Sequence, residues 1–417
     1  MATQTKQSAA LTSPGYLVPF MTVTALFFIF GFITNLNMAL VPHLKKIFTL
    51  PYAWAMLAES AFFLAYFVFS APTSKLIETI GYKRTMVVSL FIQVVGCLLF
   101  IPAAKMVSFP LFLTAVFIVG AGVTALQTSA NPYVSILGPD SSSSIRLNLA
   151  QAFNSIGGTI APIVAGAYIL NDLGPEATQV QVANTVRLPY MLIAGGLLLL
   201  GLAVAFMHLP HVEQTQSFRP AKDGDPILSR SIWAYRHTVL GALGIFFYVG
   251  VEVGLASIAV NYFNLQGMST AKTASFLVSL YWFGALIGRL LGAGIMTRVK
   301  AGILLGIFGI TAAILITISM FTSGSVAIGT LVLCGFFNSV MFPNIFTLGI
   351  AGLGPMTSKG SGLIMTAVVG GAVIPLAIGA LADKVGIQHS FVIPIICYLY
   401  IAYYGLSGSK PTRTITA

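Results

Sequence analysis

Charge is what this 417-residue chain lacks most: Lys, Arg, Asp and Glu together make up 7% of it, against about a quarter of a soluble domain. Acids are scarcer still, ten in all. With 57% hydrophobic residues, such a chain is expected to live in a bilayer. Cysteine is nearly absent too. Cys97, Cys334 and Cys397 all fall inside apolar runs, which argues against a disulfide framework and offers no metal-ligand spacing. The five histidines (His43, His208, His211, His237, His389) stand near run ends. No His-Glu-x-x-His motif or buried Asp pair accompanies them, so an intramembrane enzyme is not expected. The opening residues MATQTKQSAALTSPGY are polar with a single Lys. They lack the basic, apolar and small-residue order of a cleavable signal, so the first span is expected to persist in the mature chain.

What the chain does have is apolar runs of the roughly 20 residues that cross a bilayer. Twelve are expected, at 16–42, 52–76, 85–104, 108–137, 146–171, 188–208, 236–263, 271–296, 301–322, 325–352, 360–381 and 389–407. The fold class is therefore all-α integral membrane, with two six-helix bundles at 1–208 and 236–417 joined by a polar linker at 209–235. With both termini in the cytoplasm, fifteen Lys and Arg fall inside and six outside, as the positive-inside rule requires. The net charge of +11 then reads as topology rather than nucleic-acid binding, and the inner (plasma) membrane is the expected location.

The chain also repeats itself. Leu137-Gly138-Pro139 precedes a polar stretch, then Gly157-Gly158 and Pro162; Leu353-Gly354-Pro355 precedes another, then Gly370-Gly371 and Pro375. Gly and Pro are common in membrane helices, but the shared register points to two related halves. Two-lobed transporters built this way hold their substrate between the halves, near the midplane.

Two acids, Glu59 and Glu252, lie deep in apolar runs, on the order of 10 Å and roughly 16 Å below the outer helix ends at 1.5 Å per residue. A carboxylate there costs about 2.5–3.5 kcal/mol on insertion scales, so such residues face a bundle interior or a watery cavity. Amides cluster at the same depth: Asn35 and Asn37 in the first span, Gln127 and Asn131 in the fourth, Asn148, Gln151 and Asn154 in the fifth. Gln151 and Asn154, three apart, share a face. Amides both donate and accept without charge, which suits sugar hydroxyls; they also serve to join helices. In the second half the polar inventory at depth is Tyr248, Glu252, Asn261, Tyr262, Tyr281, Trp282, Asn338 and Asn344. Tyr248, Tyr281 and Trp282 offer a stacking face, or ordinary packing.

Several long stretches carry a family resemblance: GFITNLNMALVPHLKKIF, ESAFFLAYF, IGYKR, QTSANPYVSILGP with RLNLAQAFNS, YVGVEVG and FPNIFTLGI. Together they resemble the fucose and glucose/galactose permease branch of the major facilitator superfamily. The resemblance implies twelve helices in two bundles, alternating access, cation-coupled uptake of a monosaccharide, a monomer, and no cofactor or metal. It also implies that Asn35, Gln151 and Asn154 face the sugar. Glu78-Thr79-Ile80-Gly81-Tyr82-Lys83-Arg84 matches the superfamily's loop between helices 2 and 3, with Glu78 for the Asp and Thr79 departing from the Arg. Glu78, Gly81, Lys83 and Arg84 are thus gating candidates, against simple positive-inside anchoring for the two cations.

One departure matters for coupling. The fucose-type pattern reads Asn-Leu-Asn-Asp in helix 1 and Glu-Thr in helix 4, and those two acids are its protonation pair. Here the matching residues are Asn35-Leu36-Asn37-Met38 and Gln127-Thr128. Neither Met38 nor Gln127 can titrate, although Gln is usual at that position in glucose/galactose-type members. Glu252 and Glu59 remain as proton-coupling candidates. Three functional readings stand: proton-coupled hexose symport, an uncoupled or Na⁺-coupled sugar facilitator, and a permease for another class such as lipophilic cations.

Overall fold

In hydrocarbon every backbone N–H and C=O must find a partner inside the chain, so an open chain spans only as helices. The computed structural model obeys this. It describes residues 11–12, 15–38, 40–49, 57–169, 177–207, 231–267 and 271–411. The side chain of Met38 and most of the expected linker lie outside the described residues.

In the first half, α1 (Leu17–Met38) is continued past residue 39 by Leu40–Phe48. Next come α2 (57–80) and α3 (82–105), two arms of one 49-residue helix, Leu57–Lys105, broken at Gly81. Then follow α4 (Phe109–Ile136), α5 (Ser143–Tyr168) and α6 (Arg187–Phe206). The second half holds α7 (Arg236–Leu265), α8 (Ala271–Ile295) and α9 (Ala301–Phe321). In α10 two pieces, Gly324–Asn338 and Met341–Ile350, meet at a break. A 3-10 turn at Ala367–Val369 joins the two pieces of α11, Thr357–Thr366 and Gly370–Val385. Last is α12 (Val392–Tyr403), which ends in a π turn.

Ten helices among the described residues are long and apolar enough to cross a bilayer. Leu57–Lys105 is one of them, and at about 73 Å it makes two crossings. The twelfth crossing is α5, about 39 Å long, which fails on polarity alone. That is the helix carrying Asn148, Gln151 and Asn154. The twelve expected spans are thus all present, but the expected loop at 77–84 is only a kink.

The repeat expected from the glycine pairs has a packing counterpart. Gly157 of α5 sits against the Phe28 carbonyl of α1, and Gly370 of α11 sits against the Phe246 carbonyl of α7. A side chain at either glycine would collide with backbone. So the α1–α5 and α7–α11 crossings are built alike, and small residues at such seams let backbones approach closely. The helices differ in one respect: α5 runs unbroken through Gly157-Gly158, whereas α11 turns 3-10 just before Gly370-Gly371.

Arg146 fixes the α4–α5 connection. Its fully buried guanidinium donates to Val134 O (3.0 Å), Gly138 O (3.2 Å), Pro139 O (3.0 Å), Leu11 O (2.9 Å), Ser142 Oγ (2.6 Å) and Ser135 O. An Arg with this many oxygens is a structural pin rather than a topology charge.

Gly81 adopts φ 80°, ψ 168°, a region that is essentially glycine-only and costs other residues on the order of 1–3 kcal/mol. Open space surrounds its Cβ direction, so the penalty for a side chain is conformational. Gly81→Ala is expected to lower the unfolding free energy by about that amount, read as a fall in the thermal midpoint in detergent. An unchanged midpoint would show that the kink relaxes.

Candidate functional site

The two halves are held together by hydrogen bonds clustered toward one end of the molecule, where the 80–82, 137–142, 296–300 and 351–356 connections lie. Ser358 Oγ of α11 donates to Glu78 Oε1 at the end of α2 (3.0 Å). Ser361 Oγ donates to Thr128 O of α4 (2.8 Å), and Asn131 Nδ2 reaches Met365 Sδ (3.6 Å). Between α5 and α10, Asn148 Nδ2 donates to Asn344 Oδ1 (2.9 Å), and the Ser144 and Thr347 hydroxyls meet at 2.6 Å. Asn131, Asn148 and Asn344 are fully buried. Each places an amide atom on the seam, while Asn131 Oδ1 and Asn148 Oδ1 have no partner among the described residues.

Above this seam sits a polar cluster that straddles the halves, with Arg289 of α8 at its centre. Arg289 was counted with the topology charges, yet it is only 6% exposed. Its Nε donates to Ser339 O at the α10 break (3.2 Å), and its Nη1 crosses to α5, donating to Gln151 O (3.0 Å) and Ser155 Oγ. The α10 break explains the first bond, because a carbonyl released from the helical ladder needs another donor. On the other side of Arg289, Tyr248 Oη donates to Glu252 Oε1 (2.6 Å), one helical turn along α7. Asn338 Nδ2 donates to Tyr281 Oη (2.6 Å) and fixes that ring, against which Trp282 packs edge-on with centroids 5.5 Å apart.

So the structure brings together Gln151, Tyr248, Glu252, Tyr281, Trp282 and Asn338, and adds Arg289 and Ser155. The one signal for Arg289 in the sequence is its place in an apolar run, WFGALIGRLLGAGI, well before the charges that end the span. Asn35 and Asn154 lie along the α1–α5 seam beside this cluster. Asn35 Nδ2 donates to Gly31 O (2.9 Å) with its amide over Gly158, and Asn154 Nδ2 to Phe27 O (3.5 Å). Both are half-buried.

Other candidates stand elsewhere. Asn37 is buried against α6, accepting from Tyr190 Oη (2.8 Å), and Tyr190 stacks on Phe100; this is a joint within the first half. Gln127 donates to Tyr66 Oη (2.7 Å), tying α4 to α2. Glu59 is half-buried two residues into the described part of α2, without a hydrogen-bond partner among the described residues. Of the gating set, Glu78 alone crosses between halves among the described residues. Lys83 Nζ donates to Ala205 O of α6 (2.8 Å) and Arg84 is exposed.

A lobed all-helical fold with a polar cluster between its halves is a transporter's geometry, and the sequence matches the Major Facilitator Superfamily over residues 22–375. The chain belongs to that superfamily. Within it, the chain is 45% identical over 393 residues to the glucose/galactose transporter of Brucella abortus, covering 93% of each. Identity to the L-fucose-proton symporter of Escherichia coli is 34% over 417 residues, covering 95% of this chain and 94% of that one. The crystal structure of FucP in the outward conformation superposes with a TM-score of 0.82 at 34% identity, over 94% of this chain and 98% of that one. As a multi-pass membrane transporter of this superfamily, the protein is no enzyme.

For such a transporter the seam must be strong enough to close yet weak enough to part. Interhelical hydrogen bonds in membranes are worth about 0.6 kcal/mol, with a ceiling near 1.7. A double-mutant cycle of Asn148→Ala and Asn344→Ala, read by detergent unfolding, is therefore expected to give a coupling of about 0.6–1.7 kcal/mol. Purely additive losses would mean the pair does not hold the seam.

Proposed function

We propose that this protein moves a hexose of the glucose, galactose, fucose or mannose type across the inner (plasma) membrane by alternating access, as a proton symporter with both termini in the cytoplasm. The likeness to the Brucella abortus glucose/galactose transporter, across nearly the full length of both chains, carries the substrate class. The cluster fits that class. Gln151, Asn35 and Asn154 offer paired donors and acceptors from the first half, while Glu252 and Tyr248 from the second half accept and donate beside the Tyr281–Trp282 face. Sugar hydroxyls need this mixture of directional polar groups and flat apolar surface.

The seam between α2, α4, α5 and α8, α10, α11 lies at the end that the Lys/Arg distribution assigns to the cytoplasm. That supports an outward-facing arrangement, in keeping with the outward conformation of FucP. In this reading Glu78–Ser358 is part of the inner gate.

For coupling, Glu252 is the carboxyl best placed: it lies at membrane depth, beside the cluster, and Tyr248 holds it in place. Glu59 stands nearer the outer mouth and is the weaker candidate. Met38 and Gln127 leave helices 1 and 4 without the titrating pair of the fucose pattern, so the task falls to α7. A lipophilic-cation permease fits poorly, because Arg289 would repel a cationic substrate from the same cluster.

Purified protein in liposomes is expected to acidify the lumen when an inward hexose gradient is imposed. Glu252→Gln is expected to reduce proton movement more than tenfold, about 1.4 kcal/mol in barrier terms, while hexose counterflow persists. Met38→Asp, run alongside, reports whether a second titrating site raises the proton yield. Hexose movement without proton movement would establish the facilitator instead, and no movement of any hexose would overturn the reading altogether.

A further inference from the structure

We propose that the cleft between α6 and the α1–α5 pair is a phospholipid site: it takes one acyl chain of an anionic lipid, whose phosphate Arg187 receives. This site does not depend on the hexose reading.

The cleft follows from how α6 is attached. It packs along the Leu57–Lys105 helix, and hydrogen bonds tie it to α1 near both ends. Tyr190 Oη donates to Asn37 Oδ1 (2.8 Å) at one end, and Thr22 Oγ1 to Met207 Sδ (3.2 Å) at the other. Between these joints lies a cavity of about 340 Å³, within the ~300–1,000 Å³ of ligand pockets. Phe28 and Phe32, stacked one turn apart with centroids 6.3 Å from each other, form the α1 wall. Tyr168 borders it from α5, and Leu188, Leu192 and Gly196 line it from α6. Nothing lies within 4 Å of the Gly196 Cβ direction, so the missing side chain keeps the cleft deep.

Two features select the occupant. The first is extent. From Leu188 to Leu197 the lining covers about 14 Å of helix, close to one leaflet's half of a ~30 Å hydrocarbon core. It begins at the end of the molecule away from the seam, which is the outer leaflet in the orientation proposed above, and stops near mid-depth. An acyl chain lies beside such apolar walls already, whereas a polar solute would have to shed its water to enter.

The second is charge. Arg187 opens α6, one residue before the lining Leu188. Its Nη1 makes one long bond, to Asn184 Oδ1 (3.4 Å), and its Nε is buried without a partner. Its Nη2 has no hydrogen-bond partner among the described residues. Unspent guanidinium donors at headgroup level suit a phosphate, which Arg can hold through two parallel N–H···O bonds.

The test offers the full chain, stripped of lipid in detergent, phosphatidylglycerol and phosphatidylcholine with identical chains, and counts retained lipid by native mass spectrometry. A preference of about fivefold for phosphatidylglycerol is expected. Arg187→Gln should abolish that preference and leave phosphatidylcholine retention unchanged. Gly196→Phe, which fills the cleft, should lower retention of both lipids by about tenfold. Equal retention of the two lipids by the unsubstituted protein, or retention indifferent to Gly196→Phe, overturns the proposal. So does competition by glycerol phosphate as strong as that of the lipid, which would mean that no chain is held. A dimer in the same spectra that Gly196→Phe disperses overturns it too, by giving the cleft to a second copy. Should Gly196→Phe fail to fold, phosphatidylglycerol with a diazirine in one acyl chain decides on the unsubstituted protein. Adducts concentrated on Tyr168 and Leu192 are expected, and adducts spread equally to other exposed leucines, such as Leu333 and Leu376, overturn the proposal.

Discussion

A permanently charged guanidinium at the boundary of two lobes, in a medium where charge is expensive, is the constraint around which the rest of this transporter is arranged. Arg289 would cost about 2.5–3.5 kcal/mol on insertion scales if left alone in the bilayer. Hydrogen bonds to a charged group return about 1.5–3 kcal/mol each. Its three oxygens therefore offset the cost, and two of the three belong to the opposite lobe. The lobes close partly because this charge needs them closed.

The neutral contacts of the seam work on a smaller scale. Asn148–Asn344, Ser144–Thr347 and Ser361–Thr128 each sit in the range of ordinary membrane hydrogen bonds, a fraction of a kcal/mol to somewhat above one. They give the seam its register and shape. None of them can make closure depend on a protonation state, since none changes charge. Glu252 is the titratable group beside the cluster, and Tyr248 keeps it oriented. The neutral zipper and the charged pin are thus complementary: one sets how well the faces fit, the other adds a charge whose acceptors are complete only when they meet.

Much of the fold was legible in the sequence, because bilayer thickness converts directly into run length. All twelve spans could be placed, and the glycine pairs pointed to two related halves; that they stand at the α1–α5 and α7–α11 crossings is seen only in the structure. The kink at Gly81 was not legible, since a single residue in a positive-φ conformation leaves the hydropathy pattern on either side unchanged. The site was legible as an inventory rather than as a geometry. Gln151, Glu252, Tyr281 and Asn338 were all named from their chemistry and depth; Asn338 and Tyr281 meet by their side chains, whereas Gln151 joins through its main-chain carbonyl. Asn37, Asn131, Asn148 and Asn344 were named on the same grounds and hold helix joints, with Asn37 Nδ2, Asn131 Oδ1 and Asn148 Oδ1 left without a partner among the described residues, because amide chemistry does not distinguish a ligand from a neighbouring helix. Arg289 was missed for the opposite reason: counting Lys and Arg for topology absorbed it into a rule that takes no account of depth. Its partners, a carbonyl at the α10 break and another in the middle of α5, are backbone atoms that residue types do not encode.

The most direct measurement is a structure of the protein with a hexose bound and the α5–α8 seam open. Arg289 is expected still to donate to Ser339 O and to stand well clear of Gln151 O and Ser155 Oγ. An open seam in which Arg289 still reaches α5 would contradict the central role given to this charge.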